Sequence, residues 1–91
     1  MYSRLTENKH PTFQCSCCGY FTLPERPSNP FEICPVCDWE DDGVQFLDPD
    51  YTGGANRVGL NQARQNYRLF GASDLACLNR VRPPIQDERA D

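Results

Sequence analysis

The sequence predicts an α+β fold in which short antiparallel strands come first and two helices follow. Three observations predict it. Two C-x2-C pairs, Cys15 with Cys18 and Cys34 with Cys37, stand 15 residues apart; short aromatic and β-branched runs flank them; and from Leu60 the apolar period lengthens to that of a helix. A chain of 91 residues is expected to form a single domain with one modest core. Hydrophobic residues are 38% of the chain and six of them are cysteines, so carbon-rich burial is thin and some further staple is expected. Eight prolines and six glycines favour turns over long elements, against a bundle or coiled coil.

Residues 1–11, polar and ending in His10-Pro11, read as an N-terminal arm with no period of their own. In the knuckle region, 12–47, Thr12-Phe13-Gln14 alternates into Cys15 as a short strand does, and Tyr20-Phe21-Thr22-Leu23 can return antiparallel to it. Residues 24–30 hold three prolines and must form a loop, after which Phe31-Glu32-Ile33 restores alternation before Cys34. Trp39 to Gly54 reads as connections with one strand at Val44-Gln45-Phe46-Leu47. In the helical region, 60–82, the residues Leu60, Ala63, Tyr67 and Phe70 share one stripe and Gly71 supplies the stop. Ser73 is expected to cap a second, shorter helix with Leu75, Leu78 and Val81 inward, ended by Pro83-Pro84. Residues 85–91 read as a loose tail.

Two thiolates three residues apart can turn inward around one tight corner, and two such corners close a tetrahedron around a metal ion. Cys15, Cys18, Cys34 and Cys37 are therefore the expected ligands, with Gly19 freeing the first corner and Pro35 pre-setting the second. A pair of dithiol redox motifs would need a βαβ pattern around C-x2-C, which is missing, and chance burial of cysteines rarely yields two matched spacings. Four thiolates favour zinc, with a rubredoxin-like iron site as the less favoured alternative. A closed four-thiolate shell leaves no position for water or substrate, so the metal is expected to be structural and the protein not an enzyme. Cys17 is read as a spectator beside the metal rather than a ligand through a C-x-C corner or a reactive thiol, since His10 is the only histidine and lies in the arm. Cys77 reads as a small buried hydrophobe.

Charge is uneven. Residues 1–50 carry three basic residues against nine acids, and residues 51–91 carry six arginines against four acids. Binding a divalent ion as four thiolates would take the formal charge from −4 to −6, so the cysteine-bearing half should attract basic partners and repel phosphate backbones. Trp39-Glu40-Asp41-Asp42 follows the second knuckle; Trp39 is expected to be buried and Glu40, Asp41 and Asp42 exposed as the partner-binding patch. Gly53-Gly54-Ala55-Asn56 with Arg57 is read as a bare loop rather than an anion cradle, because it lacks a Walker-type Lys-Ser/Thr. The C-terminal arginines would serve a nucleic-acid-binding ribbon, the alternative reading, but the holo-charge opposes it. No transmembrane run or secretory opening is visible, which makes the cytoplasm the expected compartment.

The run Cys15-Ser-Cys-Cys-Gly-Tyr-Phe-Thr-Leu-Pro and the run Glu32-Ile-Cys-Pro-Val-Cys-Asp-Trp-Glu-Asp-Asp-Gly-Val-Gln resemble the CPCC family of small cysteine-rich bacterial proteins. The likeness continues through Asp48-Pro-Asp-Tyr, Gly53-Gly-Ala-Asn, the Ala63-Arg-x-Asn-Tyr helix and Val81-Arg-Pro-Pro, over roughly residues 13–84. Ser16 departs from it, standing where the name-giving motif has proline. The resemblance implies a zinc-ribbon-like domain with a C-terminal helical extension, and proximity of some members to toxin systems implies an immunity-type role. The expectation is thus a zinc-ribbon-like or rubredoxin-like knuckle pair with a structural Zn2+, non-catalytic, whose acidic face meets a basic protein partner such as a cognate toxin. The alternatives are a nucleic-acid-associated zinc ribbon and a thiol or redox protein using Cys17.

Overall fold

A computed structural model describes residues 12–25 and 31–89; the expected arm, 1–11, and residues 26–30 of the proline-rich loop lie outside them. The architecture is α+β. Strand β1 (Phe13–Gln14) pairs antiparallel with β2 (Phe21–Leu23) in the register Phe13 to Leu23 and Gln14 to Phe21, with an irregularity between the two pairs. The Thr12 hydroxyl donates to the Phe21 carbonyl at 3.0 Å and extends the pairing by one residue. After the loop, Ile33 and Glu40 meet in an isolated antiparallel bridge across the second knuckle.

Where a strand was expected at Val44-Gln45-Phe46-Leu47, the chain forms the short helix α1 (Gly43–Leu47). The reason lies just before it. Asp42 adopts an extended backbone and its Oδ1 accepts from the Val44 and Gln45 amides at 2.8 and 3.1 Å, satisfying two of the helix's orphan donors. Local capping outweighs the strand preference of Val and Phe. Helix α2 (Leu60–Phe70) follows the expected stripe: Leu60 and Ala63 are buried, Tyr67 is half-buried against the core, and Gly71, at φ 86°, closes it with its N–H on the Tyr67 carbonyl.

The second helical segment, Leu75–Arg80, is a 3₁₀ helix, capped by Asp74 through the Ala76 amide and not by Ser73. Ser73 instead donates its amide to the Cys37 carbonyl at 2.9 Å. Three residues per turn put Asp74, Cys77 and Arg80 on one face; Asp74 and Cys77 are buried there, and the exposed Arg80 reaches from it to Asp38. Leu75 and Leu78, expected inside, are 63% and 45% exposed, whereas Cys77 is buried as expected. The stretch expected as a loose tail carries a 3₁₀ turn at Gln86–Glu88 that lies against β2. Glu88 is buried, takes both Arg82 donors at 2.8 Å, and accepts from the Ile85 amide.

The core is one cluster: Cys15, Cys17, Leu23, Cys34, Val36, Cys37, Trp39, Leu60 and Ala63. Among the described residues no helix is long and apolar enough to cross a membrane.

Candidate metal centre

The two knuckles are the same turn built twice. In each, the first cysteine's carbonyl accepts from the amide four residues on, Gly19 to Cys15 at 2.9 Å and Asp38 to Cys34 at 2.8 Å. The first cysteine's own amide donates to the carbonyl five residues on, Cys15 to Tyr20 at 2.9 Å and Cys34 to Trp39 at 3.0 Å. The residue after each pair is left-handed, Gly19 at φ 83° and Asp38 at φ 69°. Glycine takes that conformation without penalty, and aspartate is among the few side chains that tolerate it. Arg80 holds the Asp38 carboxylate at 3.1 Å from the 3₁₀ helix.

This repetition brings the four expected ligands together. Their Sγ atoms all lie within 4.8 Å of one another, with Cys15 and Cys37 3.6 Å apart and Cys18 and Cys34 3.7 Å apart. Sulfurs placed tetrahedrally at about 2.3 Å from one ion would be about 3.8 Å apart, so the cage is close to the size that a thiolate-bound ion requires. Cys15, Cys34 and Cys37 are buried and Cys18 is half-buried. Trp39 is buried beside them, as expected, with Val36, Leu23 and Leu60. Tyr20 and Tyr67 meet edge to face at 6.3 Å and close the side toward α2. Burial, then the neighbouring thiols, push the Tyr67 phenol up to about 12.

Two donors point at the sulfurs. The Cys17 amide approaches Cys15 Sγ at 3.4 Å and the Thr22 hydroxyl approaches Cys34 Sγ at 3.0 Å. Such bonds favour thiolate over thiol and orient the ligands. The thiols around Cys34, Cys15 first, together with Thr22, hold it well below the usual thiol range. Cys37 and Cys18 are pushed up, in both cases chiefly by hydrogen bonding with Cys15, with burial adding to it. Several like charges in so small a volume repel one another, and a divalent cation at their centre removes the conflict by stabilising every thiolate. An all-sulfur donor set of this size therefore fits a metal ion, and Cys15, Cys18, Cys34 and Cys37 would hold it.

Cys17 lies outside this cage. Superposing the knuckles residue by residue sets Cys15-Ser16-Cys17-Cys18 against Cys34-Pro35-Val36-Cys37, so Cys17 is the counterpart of Val36, and both are buried. Ser16 is the counterpart of Pro35, and its buried hydroxyl has no hydrogen-bond partner. Arg64 of α2 ties this corner down by donating to the Ser16 carbonyl at 2.9 Å.

The acidic run behaves differently from its expected role as an exposed patch. Asp41 is 1% and Asp42 6% exposed. Asp42 spends one oxygen on capping α1 and the other on the Ala55 amide at 2.9 Å, and that last bond is the main cause of its lowered pKa. Neither can offer its carboxylate to a partner; only Glu40 remains accessible, half-buried. Charge clusters are usually solvated, and Asp42 is folded inward because its carboxylate satisfies the backbone amides of Val44, Gln45 and Ala55.

The Gly53–Arg57 loop is a bare loop, as expected: its Ala55 and Asn56 amides serve Asp42 and Gln45, and Arg57 binds Asp74 through two contacts of 2.9 Å. Sequence reading missed Gln45 and Asn56. The fully buried Gln45 donates to the Tyr51 and Val58 carbonyls at 2.9 and 3.0 Å and accepts from Asn56. Asn56 in turn spans both backbone groups of Glu40. Together they lash the loop after α1 to the second knuckle, and only the alternation break at Gln45, a polar residue inside an apolar run, hinted at it.

No curated protein matches the chain. The family described as cysteine-rich CPCC matches it over residues 13–88, from the first strand to the buried Glu88 and through both knuckles. With its four-thiol cage inside a match of that extent, the chain belongs to the cysteine-rich CPCC family.

Proposed function

We propose that this protein is a non-catalytic zinc-binding protein whose Cys15, Cys18, Cys34 and Cys37 staple a thin-cored domain, and that its anionic surface docks a basic protein partner. The observation that carries the first half is the closed, all-sulfur cage at tetrahedral spacing. Four protein ligands complete zinc's preferred shell, and such sites supply folding energy rather than Lewis-acid chemistry. Elemental analysis of the purified protein should return about one zinc per chain; iron in its place, or folded protein free of metal, would overturn it.

The partner half is supported by the formal charge of −4, made more negative by four thiolates. With Asp41 and Asp42 buried, the acids available near α1 are the half-buried Glu40 and the exposed Asp48 and Asp50. A bacterial immunity protein that neutralises a basic toxin is the concrete form of this reading. Co-expression with the product of the neighbouring gene should yield a complex that survives low salt and dissociates in high salt. The triple change Glu40→Gln, Asp48→Asn, Asp50→Asn should weaken it. Association indifferent to both salt and these changes would sink the acidic-face reading.

A further inference from the structure

A cleft of about 370 Å³ opens between the second knuckle and the 3₁₀ helix Leu75–Arg80. That volume suits a small ligand or one long side chain. Ile33, Ala55, Val58 and Ala76 supply apolar wall, and the rim carries three carboxylates and two guanidiniums. Four of these five charges are already matched. Arg57 covers both oxygens of Asp74, and Arg80 lies 3.1 Å from Asp38. Glu40 is the charge left over: its backbone N–H and carbonyl are taken by Asn56, while no hydrogen bond or ion pair among the described residues reaches its carboxylate. Across the Ile33–Glu40 bridge the two residues stand directly opposite each other, so apolar surface and an uncompensated negative charge adjoin.

We propose that this cleft binds a cationic head on an apolar stem, the head at the Glu40 carboxylate and the stem against Ile33 and Val58. The shared chemistry belongs to a lysine or arginine side chain of a protein and to a free alkylamine. An anion is disfavoured because both guanidiniums already face carboxylates, which leaves the rim one charge negative. The inference deepens the partner reading, and rests on it for the source of the cation, but the site has its own test.

Metal-loaded, methyl-labelled protein is titrated with n-pentylammonium and with acetyl-Gly-Lys-Gly-amide, using the glutamate and norleucine peptides of the same form as controls. Both cationic probes should produce saturable shifts of the Ile33, Val58 and Ala76 methyl signals, and the glutamate peptide none. Glu40→Gln should weaken the cationic probes by about three-fold or more, the scale of a partly exposed ion pair. Ile33→Lys, at a position 56% exposed, sets an ammonium beside Glu40 and should abolish the shifts. Binding by pentylammonium alone supports the site with a small amine as its ligand; binding by the lysine peptide alone supports it with a protein side chain. Equal response to the glutamate or norleucine peptide, absence of saturable shifts with both cations, or affinity unchanged in both variants overturns the proposal. Such a failure leaves the salt-sensitive complex to be judged by co-purification, so the two readings fall separately.

Discussion

Cys17 and Val36 occupy the same place in two copies of one turn, and that equivalence says what the extra thiol is for. A buried position that takes valine in one knuckle asks for a small hydrophobe, which a free cysteine can be. What the metal cage uses from Cys17 is its amide, and every residue except proline supplies one. Cys17→Val should therefore keep metal content unchanged and shift stability by less than about 1.5 kcal/mol, the range of volume-conserving core swaps. Cys34→Ser, by contrast, removes a ligand and should leave the protein unfolded. Loss of metal or of the fold in Cys17→Val, measured by elemental analysis and circular dichroism, would show the thiol to be a ligand after all. The same comparison explains Ser16. Its counterpart is Pro35, and its hydroxyl is buried without a partner, so Ser16→Pro should raise stability by about 0.5–1 kcal/mol through a stiffer unfolded chain. A lower melting temperature would mean that the Ser16 backbone cannot take the proline φ.

At the scale of elements, the segments that could be read from sequence were those whose signal was spacing. Each C-x2-C fixes its own corner, and Leu60, Ala63 and Tyr67 fix the face of α2 with Gly71 as its end. What could not be read was decided by particular side-chain hydrogen bonds, one a local cap and others reaching further along the chain. Val44-Gln45-Phe46-Leu47 has strand composition, but Asp42 caps it into a helix, and Gln45 is held by acceptors 6 and 13 residues away. Pro83-Pro84 signals an ending, yet Arg82 reaches past it to Glu88. Asp42 is the hinge of the first case. Asp42→Ala removes the cap and orphans the Ala55 amide, a cost of about 2 kcal/mol in a chemical denaturation curve. The Ala55 N–H foremost, with the amides of α1, holds the Asp42 carboxyl below its usual range. A depressed folded-state pKa stabilises above the unfolded value of about 3.9 and is lost as pH falls below it. The acid limb of the stability curve should accordingly be shallower in Asp42→Asn than in the parent; identical limbs would mean that this carboxylate adds nothing through its charge.

For the whole molecule, the decisive fact is what the core is made of. Four of its nine clustered residues are cysteines, three of those belong to the cage, and the fourth cage residue, Cys18, packs half-buried against them. Among the described residues, Leu23, Val36, Trp39, Leu60 and Ala63 supply the hydrocarbon of the buried cluster, with Phe13, Tyr20, Val58 and Tyr67 packed half-buried against it, and without an ion the thiols among them resist sharing charge. Binding of zinc to four thiolates is worth on the order of 10 kcal/mol in small metallo-domains, about as much as the entire stability of an ordinary domain. Removing it should therefore unfold the chain rather than loosen it. Chelation at neutral pH under reducing conditions is expected to abolish the near-ultraviolet circular dichroism of buried Trp39 and collapse the methyl dispersion, with both restored by one equivalent of zinc. The sign of the pH dependence follows from the ligands. Protons compete with the ion for the sulfurs, so the metal's contribution is present at neutral pH, falls as pH is lowered, and release of the ion should coincide with unfolding. A chelated protein that keeps its Trp39 signal would show that Leu60, Ala63 and the Gln45–Asn56 lashing suffice, and would make the cage a passenger on the fold instead of its staple.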